Sequence, residues 1–133
     1  MSKTTNNHAS GKRKRAIARA TIKPGTGKVK VNNLSLENYG SRITQMKIQE
    51  PLLLSKPTSD KVDVFVRVNG GGAMGQANAV RLAIARALVQ HTASLKQVFL
   101  DYDRHLLIAD VRRKESCKPN DSKARAKRQK SYR

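Results

Sequence analysis

The stretch KVDVFVRVNGGGAMGQANAVRLAIARAL, residues 61–88, decides the fold. Its first part alternates without a break. Val62, Val64, Val66 and Val68 face one side, with Asp63, Phe65 and Arg67 on the other, the period of a half-buried strand. Asn69-Gly70-Gly71-Gly72 ends the strand. A helix follows from about Gly75 to His91, with Val80, Ile84, Ala87 and Leu88 on one face and Ala77 and Ala83 joining them. A helix so rich in alanine can pack closely onto a sheet.

Working outward, Arg15 to Lys23 reads best as a strand, although Ile17 and Ile22 differ in parity. Pro24-Gly25-Thr26-Gly27 is a turn, and Lys28 to Val31 alternates cleanly until Asn32-Asn33. These two runs predict a β-hairpin. Ser35 caps a short helix ended by Gly40, and Ser41 caps a second that carries Ile43, Met46 and Ile48 on one stripe. Pro51 is expected to bend or interrupt it. Arg104 to Val111 reads as a final strand. The order β-β-α-β-α-β predicts an α/β (α+β) domain: one four-stranded sheet with packed helices, followed by an extended basic tail.

Charge divides the chain further. The 133 residues carry 28 Lys and Arg against nine acids, a formal charge of +19. Residues 1–15 hold five cations and no acid, and residues 112–133 hold ten cations against Glu115 and Asp121. The expected organisation is a flexible basic N-terminal arm at 1–12, a globular RNA-binding domain at 13–111, and an extended tail at 112–133. A tail this poor in apolar side chains cannot offset the entropy of ordering itself, so it stays extended unless a polyanion organises it. RNA suits that role, because each neutralised phosphate releases a condensed counterion.

Other classes fit less well. The longest apolar run is about half the ~20 residues needed to span a bilayer. Met1 to His8 lacks the apolar core of a signal peptide, so a cytoplasmic protein is expected. Cys117 stands alone and reads as an incidental reduced thiol. His8, His91 and His105 are far apart and form no zinc pattern, so neither metal nor cofactor is expected. Two Phe, three Tyr and no Trp argue against a single-strand binder built on stacked bases.

The glycine loop admits two readings. Its open amides at a helix N-terminus suit a phosphate. Equally, the glycines could serve positive φ or close packing alone. Residues 70–88 carry a Gly-Gly-Gly-x-x-Gly-Gln-x-x-Ala-x-Arg-x-Ala-Ile-Ala-Arg-Ala-Leu pattern. In this it resembles the universal small-subunit ribosomal protein S-nine family. Gly11 to Ala18, Ile48-Gln49-Glu50-Pro51-Leu52, Asp110 to Glu115 and the archaeal- and eukaryotic-type ending Gln129 to Arg133 also resemble that family, in the same order. Departures lie at Cys117 to Ser122, where archaeal relatives usually have a Lys-Lys-Phe-Gly-Gly-like stretch, and at Arg128, where an aromatic is common.

The resemblance implies a ribosomal-protein S-five domain-two-like fold seated on rRNA in the head of the small subunit. It implies contacts with neighbouring ribosomal proteins and a tail that reaches the P-site tRNA, without membrane or obligate homo-oligomer. The candidate rRNA-binding residues are Lys12, Arg13, Lys14 and Arg15; Gly70, Gly71, Gly72, Gly75 and Gln76; Arg81 and Arg86; and Arg112, Arg113 and Lys114. The candidate tRNA-binding residues are Arg128, Lys130, Ser131, Tyr132 and Arg133.

An alternative of another class is a small phosphoryl-transfer enzyme, since some small-metabolite kinases have a related fold and a glycine-rich loop. This loop lacks the Gly-Lys-Ser/Thr ending, and the acids of the central segment form no metal-binding motif. Most contacts are expected to go to phosphate and sugar. A free RNA-chaperone activity is a third possibility.

Overall fold

The computed structural model describes residues 6–120 and 122–127. Its strands are β1 (Asn7–Arg13), β2 (Ala16–Pro24), β3 (Val29–Val31), β4 (Leu34–Ser35) and β5 (Val62–Asn69). Its helices are α1 (Arg42–Leu54), α2 (Lys56–Ser59), α3 (Ala73–His91) and α4 (Leu95–Tyr102). The sheet has five strands in the order β1-β2-β5-β3-β4, one more than expected. The α/β character stands. Val62, Val64, Val66 and Val68 are buried in the central strand, facing α3 residues Val80, Ile84 and Leu88 in one core.

The added strand β1 lies inside the segment expected to be a flexible arm, which corrects that boundary. It pairs antiparallel with β2 from Asn7↔Ile22 to Arg13↔Ala16. Its sequence hides it, because its inward positions are Ala9 and Gly11 rather than large apolar residues. The reason is the proximity of α3. A Cβ at Gly11 would lie 2.4 Å from the Ala79 carbonyl oxygen and 2.7 Å from the Ala83 nitrogen. The same closeness explains the parity break in β2. Its inward set is Ala16, Ala18, Ala20 and Ile22, three small residues and one large, and Ile17 lies on the opposite face.

The expected hairpin between β2 and β3 does not form. Both strands pair with β5 instead, β2 antiparallel and β3 parallel. Asp63 at the start of β5 organises the turn that separates them. Its carboxylate accepts from the Thr26 amide at 2.9 Å and the Lys28 amide at 3.0 Å, and the Gly25 amide donates to the Lys61 carbonyl. The turn therefore passes over the end of β5 and delivers β3 to its far side. Asn32 then lengthens the β3 edge, because its side chain exchanges hydrogen bonds with the backbone of Val68 at 2.9 and 3.1 Å.

Residues 104–111 are not a strand either. Arg104–Leu106 form a 3-10 turn whose start is capped by Asp103, which accepts from the His105 amide at 2.9 Å. Arg86 stands between this segment and the β1 edge. Its Nε donates to the Leu107 carbonyl at 3.0 Å and its Nη1 to the Ser10 carbonyl at 2.9 Å. A guanidinium occupies the space in which strand pairing would have to occur. Helix α4, before this turn, buries Phe99 completely.

Pro51 does not interrupt α1, which continues to Leu54, with Ser55 closing its end on the Pro51 carbonyl. The buried face of α1 is Thr44, Ile48, Pro51 and Leu52, spaced at i, i+4, i+7 and i+8. Ile43 and Met46, expected on the core stripe, are exposed.

Gly11→Ala tests the close approach. The new methyl meets helix backbone, which cannot rotate away, so a loss of about 2–3 kcal/mol is expected from overpacking. Urea denaturation of the purified variant measures it. Unchanged stability would mean that α3 and β1 can part without cost.

Candidate nucleic-acid interface

Three chain segments converge beside the N-terminus of α3. The β1–β2 turn contributes Lys12 to Arg15, the glycine loop contributes Gly71 to Gly75, and the root of the tail contributes Arg112 to Cys117. Together they line an open groove of about 1400 Å³ with seven cationic side chains and a single acid, Glu115. The turn is tight, with Arg13 opposite Ala16 and Lys14 at φ +53°. That geometry thrusts the Lys14 and Arg15 side chains into solvent.

The four loop glycines divide between the two readings of the motif. Gly70 and Gly71 adopt φ +75° and +68°. A Cβ on Gly70 would lie 2.8 Å from the Arg15 carbonyl oxygen, and one on Gly71 would lie 3.0 Å from the Ala16 nitrogen. These two glycines let the loop lie flush on the β1–β2 turn. Gly72 and Gly75 have no such constraint: a Cβ on Gly72 meets nothing within 4 Å, and one on Gly75 only ordinary contacts. Gly72 is the cap residue of α3, with no side-chain cap hydrogen bond and no acid in the first turn. The positive end of the helix dipole thus opens on the groove with no acidic residue in the helix's own first turn.

Several candidate residues turn out to hold the protein together. Gln76 donates from Nε2 to the Gly70 carbonyl at 3.1 Å and accepts from the Tyr39 hydroxyl at 3.1 Å, so it pins the loop. Burial pushes the Tyr39 phenol above its ordinary value. Arg81 is bound to Glu50 on α1 and, at 3.0 Å, to Asp103, and only 12% of its side chain is exposed. Arg86 is the bridge described above. Neither arginine lines the groove, because their side of α3 packs on other elements of the protein.

Asp110 is the organiser that the sequence reading missed. It accepts two hydrogen bonds from Arg112 Nε and one from Nη2, one more from the Arg112 amide, and lies 3.1 Å from Arg13 Nη1. The Arg112 side chain, its amide and Arg13 hold the Asp110 carboxyl well below the usual carboxylate range. One carboxylate so clamps the tail root to the β1–β2 turn. Its signal is the local Asp-x-Arg spacing. The four cations Lys14, Arg15, Arg113 and Lys114 have no hydrogen-bonded or ion-paired partner among the described residues, and all are exposed. Further along, Arg125 pairs with Glu115 at 2.7 Å. The described part of the tail beyond Arg112 contains neither helix nor strand. Arg128, Lys130, Ser131, Tyr132 and Arg133 lie outside the described residues.

A mixed sheet domain with a cationic groove at a glycine loop is suited to a polyanion. Comparison makes this specific. The family described as Ribosomal protein S9/S16 matches residues 11–133. The small ribosomal subunit protein uS9 of Methanothrix thermoacetophila is 48% identical over 128 residues, covering 95% of this chain and 97% of its own length. That of Pyrobaculum aerophilum is 49% identical over 125 residues, covering 92% and 88%. The chain belongs to the ribosomal protein S9/S16 family. It is a structural, non-enzymatic component of the ribosome, and so of the cytoplasm.

Two tests follow from this geometry. Gly71→Ala forces an L-residue into positive φ and should lose about 1–2 kcal/mol of stability, whereas Gly72→Ala should stay within about 0.5 kcal/mol. If the groove seats phosphate, Gly72→Ala nevertheless weakens binding to small-subunit rRNA in a filter assay; unchanged binding would leave the loop a packing device.

Asp110→Asn tests the clamp. A depressed folded-state pKa contributes stability that is fully present above the unfolded value near ~3.9 and is lost as pH falls below it. Denaturation at pH 7 and pH 3 should show the variant less stable than the parent at pH 7, with the difference shrinking at pH 3. An equal difference at both would mean the carboxylate charge is irrelevant.

Proposed function

We propose that this chain is an architectural protein of the small-subunit head that binds rRNA backbone in the cationic groove, while its tail contacts the P-site tRNA. The observation that carries the rRNA reading is the convergence of Lys14, Arg15, Arg113 and Lys114 on the uncapped start of α3. Four cations with no partner among the described residues and a helix dipole face one open space. Phosphate is the anion that RNA presents at regular spacing, and neutralising it releases counterions. Gly72 and Gly75 keep the helix start accessible to an approaching oxygen. Contacts of this kind position RNA without reading its sequence. Neighbouring proteins of the head complete the seat.

The tRNA part rests on family membership. Asp110 fixes the root of the tail at the groove, and the described tail residues beyond Arg112 form neither helix nor strand. Arg133 offers a planar fork of donors suited to phosphate, and Lys130 a point charge.

Deleting Lys130 to Arg133 separates the two parts. The folded core lies well upstream, so stability and subunit assembly should be unchanged. Loss of two or three charged contacts should weaken P-site tRNA by about 1–3 kcal/mol. The measurement is tRNA dissociation from purified truncated subunits. An off-rate equal to that of the parent would sink the tRNA role and leave the tail as part of the rRNA seat.

A further inference from the structure

The sheet covers only one of its faces. The helices pack on the alanine and valine side, and the opposite side is open. Its cross-strand rows follow from the register. Lys12 lies beside Ile17 and Asn69; Ser10 beside Arg19 and Arg67; His8 beside Thr21, Phe65 and Lys30; and Lys23 beside Asp63. From the Lys12 row to the Lys23 row is six residues of β2, roughly 20 Å at strand rise.

This face is built against itself electrostatically. Arg19 and Arg67 are direct cross-strand partners, both exposed, and like charges placed opposite each other are destabilising. Among the described residues neither has a carboxylate or a hydrogen-bonded partner. Lys12 and Lys30 are equally unpaired. Lys23 sits over the Phe65 ring at 5.8 Å. The one acid in these rows, Asp63, already accepts from the Thr26 and Lys28 amides, and these bonds hold its carboxyl below its ordinary value. Only Ile17 and Phe65 are large apolar residues there, each 38% exposed, too little for an apolar protein interface. The missing complement is negative charge.

We infer that the open sheet face is a second docking surface for the sugar–phosphate backbone of rRNA, continuous with the groove at Lys12, with an RNA phosphate seated between Arg19 and Arg67. This rests on the reading of the chain as an rRNA-binding protein and extends it to a surface outside the glycine loop and the tail. The anion relieves the Arg19–Arg67 repulsion, and Lys30 and Lys12 engage backbone on either side of that row. Lys12 lines the groove as well, so RNA leaving the helix start can pass directly onto the sheet.

The test uses the full chain and protein-free small-subunit rRNA in filter binding across a salt titration. Arg19→Gln/Arg67→Gln should reduce the log–log salt slope by about 1, at roughly 0.9 for the one phosphate shared between them. Lys30→Gln, a second and independent variant, should reduce it by about 1. Melting temperature should be unchanged or higher in the double variant, because the repulsion is gone. Lys14→Gln/Arg15→Gln reports on the groove separately, and its loss should add to the other, since the two sets share no residue. A parental slope for both sheet variants, with the groove variant impaired, would overturn the inference and assign the face to a protein neighbour or to solvent. Impaired sheet variants with a parental groove variant would support the inference and defeat the groove. A lower melting temperature in the double variant would show that the two arginines stabilise the fold, and would overturn the argument for a missing anion.

Discussion

The close approach of α3 to β1 and β2 is the constraint on which the rest depends. Gly11 leaves room for the helix backbone, and Ala16, Ala18 and Ala20 keep the neighbouring strand low beneath it. On the helix side Ala77, Ala79, Ala83 and Ala87 are fully buried. Small residues on both sides bring backbone near backbone and leave little volume to fill. With α3 fixed on β1 and β2, its N-terminus lies beside the turn that joins those strands. The glycine loop must then be flush with the turn, which is why Gly70 and Gly71 take positive φ. The groove is a by-product of this packing, formed where three short segments are forced to meet.

That same packing governed how much could be read from the sequence. The valines of β5 and the stripe of α3 were legible because large apolar residues mark one face. β1 was not, because its inward positions are Ala9 and Gly11 and carry no hydrophobic signal. The apparent hairpin misled for another reason. Turn chemistry at Pro24 to Gly27 was read correctly, but which strand lies next to which is decided by Asp63, nearly forty residues further on. The run Arg104 to Val111 has strand composition, yet Arg86 blocks the one edge within reach. Lys14, Arg15, Arg113 and Lys114, far apart in sequence, are gathered by the structure at one groove. Arg81, Arg86 and Gln76, also named as rRNA-binding candidates, have internal partners that charge or polarity alone does not reveal.

The cations therefore fall into two populations with different physics. Arg13, Arg81, Arg86 and Arg112 pair with carboxylates or carbonyls of the protein; the first three join elements distant in sequence, and Arg112 holds the neighbouring Asp110 in place. Arginine suits this work, since a planar fork can hold two acceptors at once. Lys14, Arg15, Arg113 and Lys114, with the arginines and lysines of the open sheet face, remain in solvent. Their mutual repulsion is screened only over about 8–10 Å at ordinary salt. The free protein is accordingly a molecule under electrostatic tension, with the excess borne by surface positions that do not contribute to its core.

The placement of β5 between β2 and β3 has a consequence for synthesis. Until Val62–Asn69 leave the exit tunnel, β2 and β3 have no shared neighbour, and the only strand pairings among the described residues before 60 are the β1–β2 hairpin and the short β3–β4 ladder. The surface against which Gly11 and the alanines pack does not exist until α3 follows. A nascent chain bearing the five cations of residues 1–15 thus waits without the core that α3 completes. The topology makes the protein a late folder, with its sheet closed by a strand from the middle of the chain.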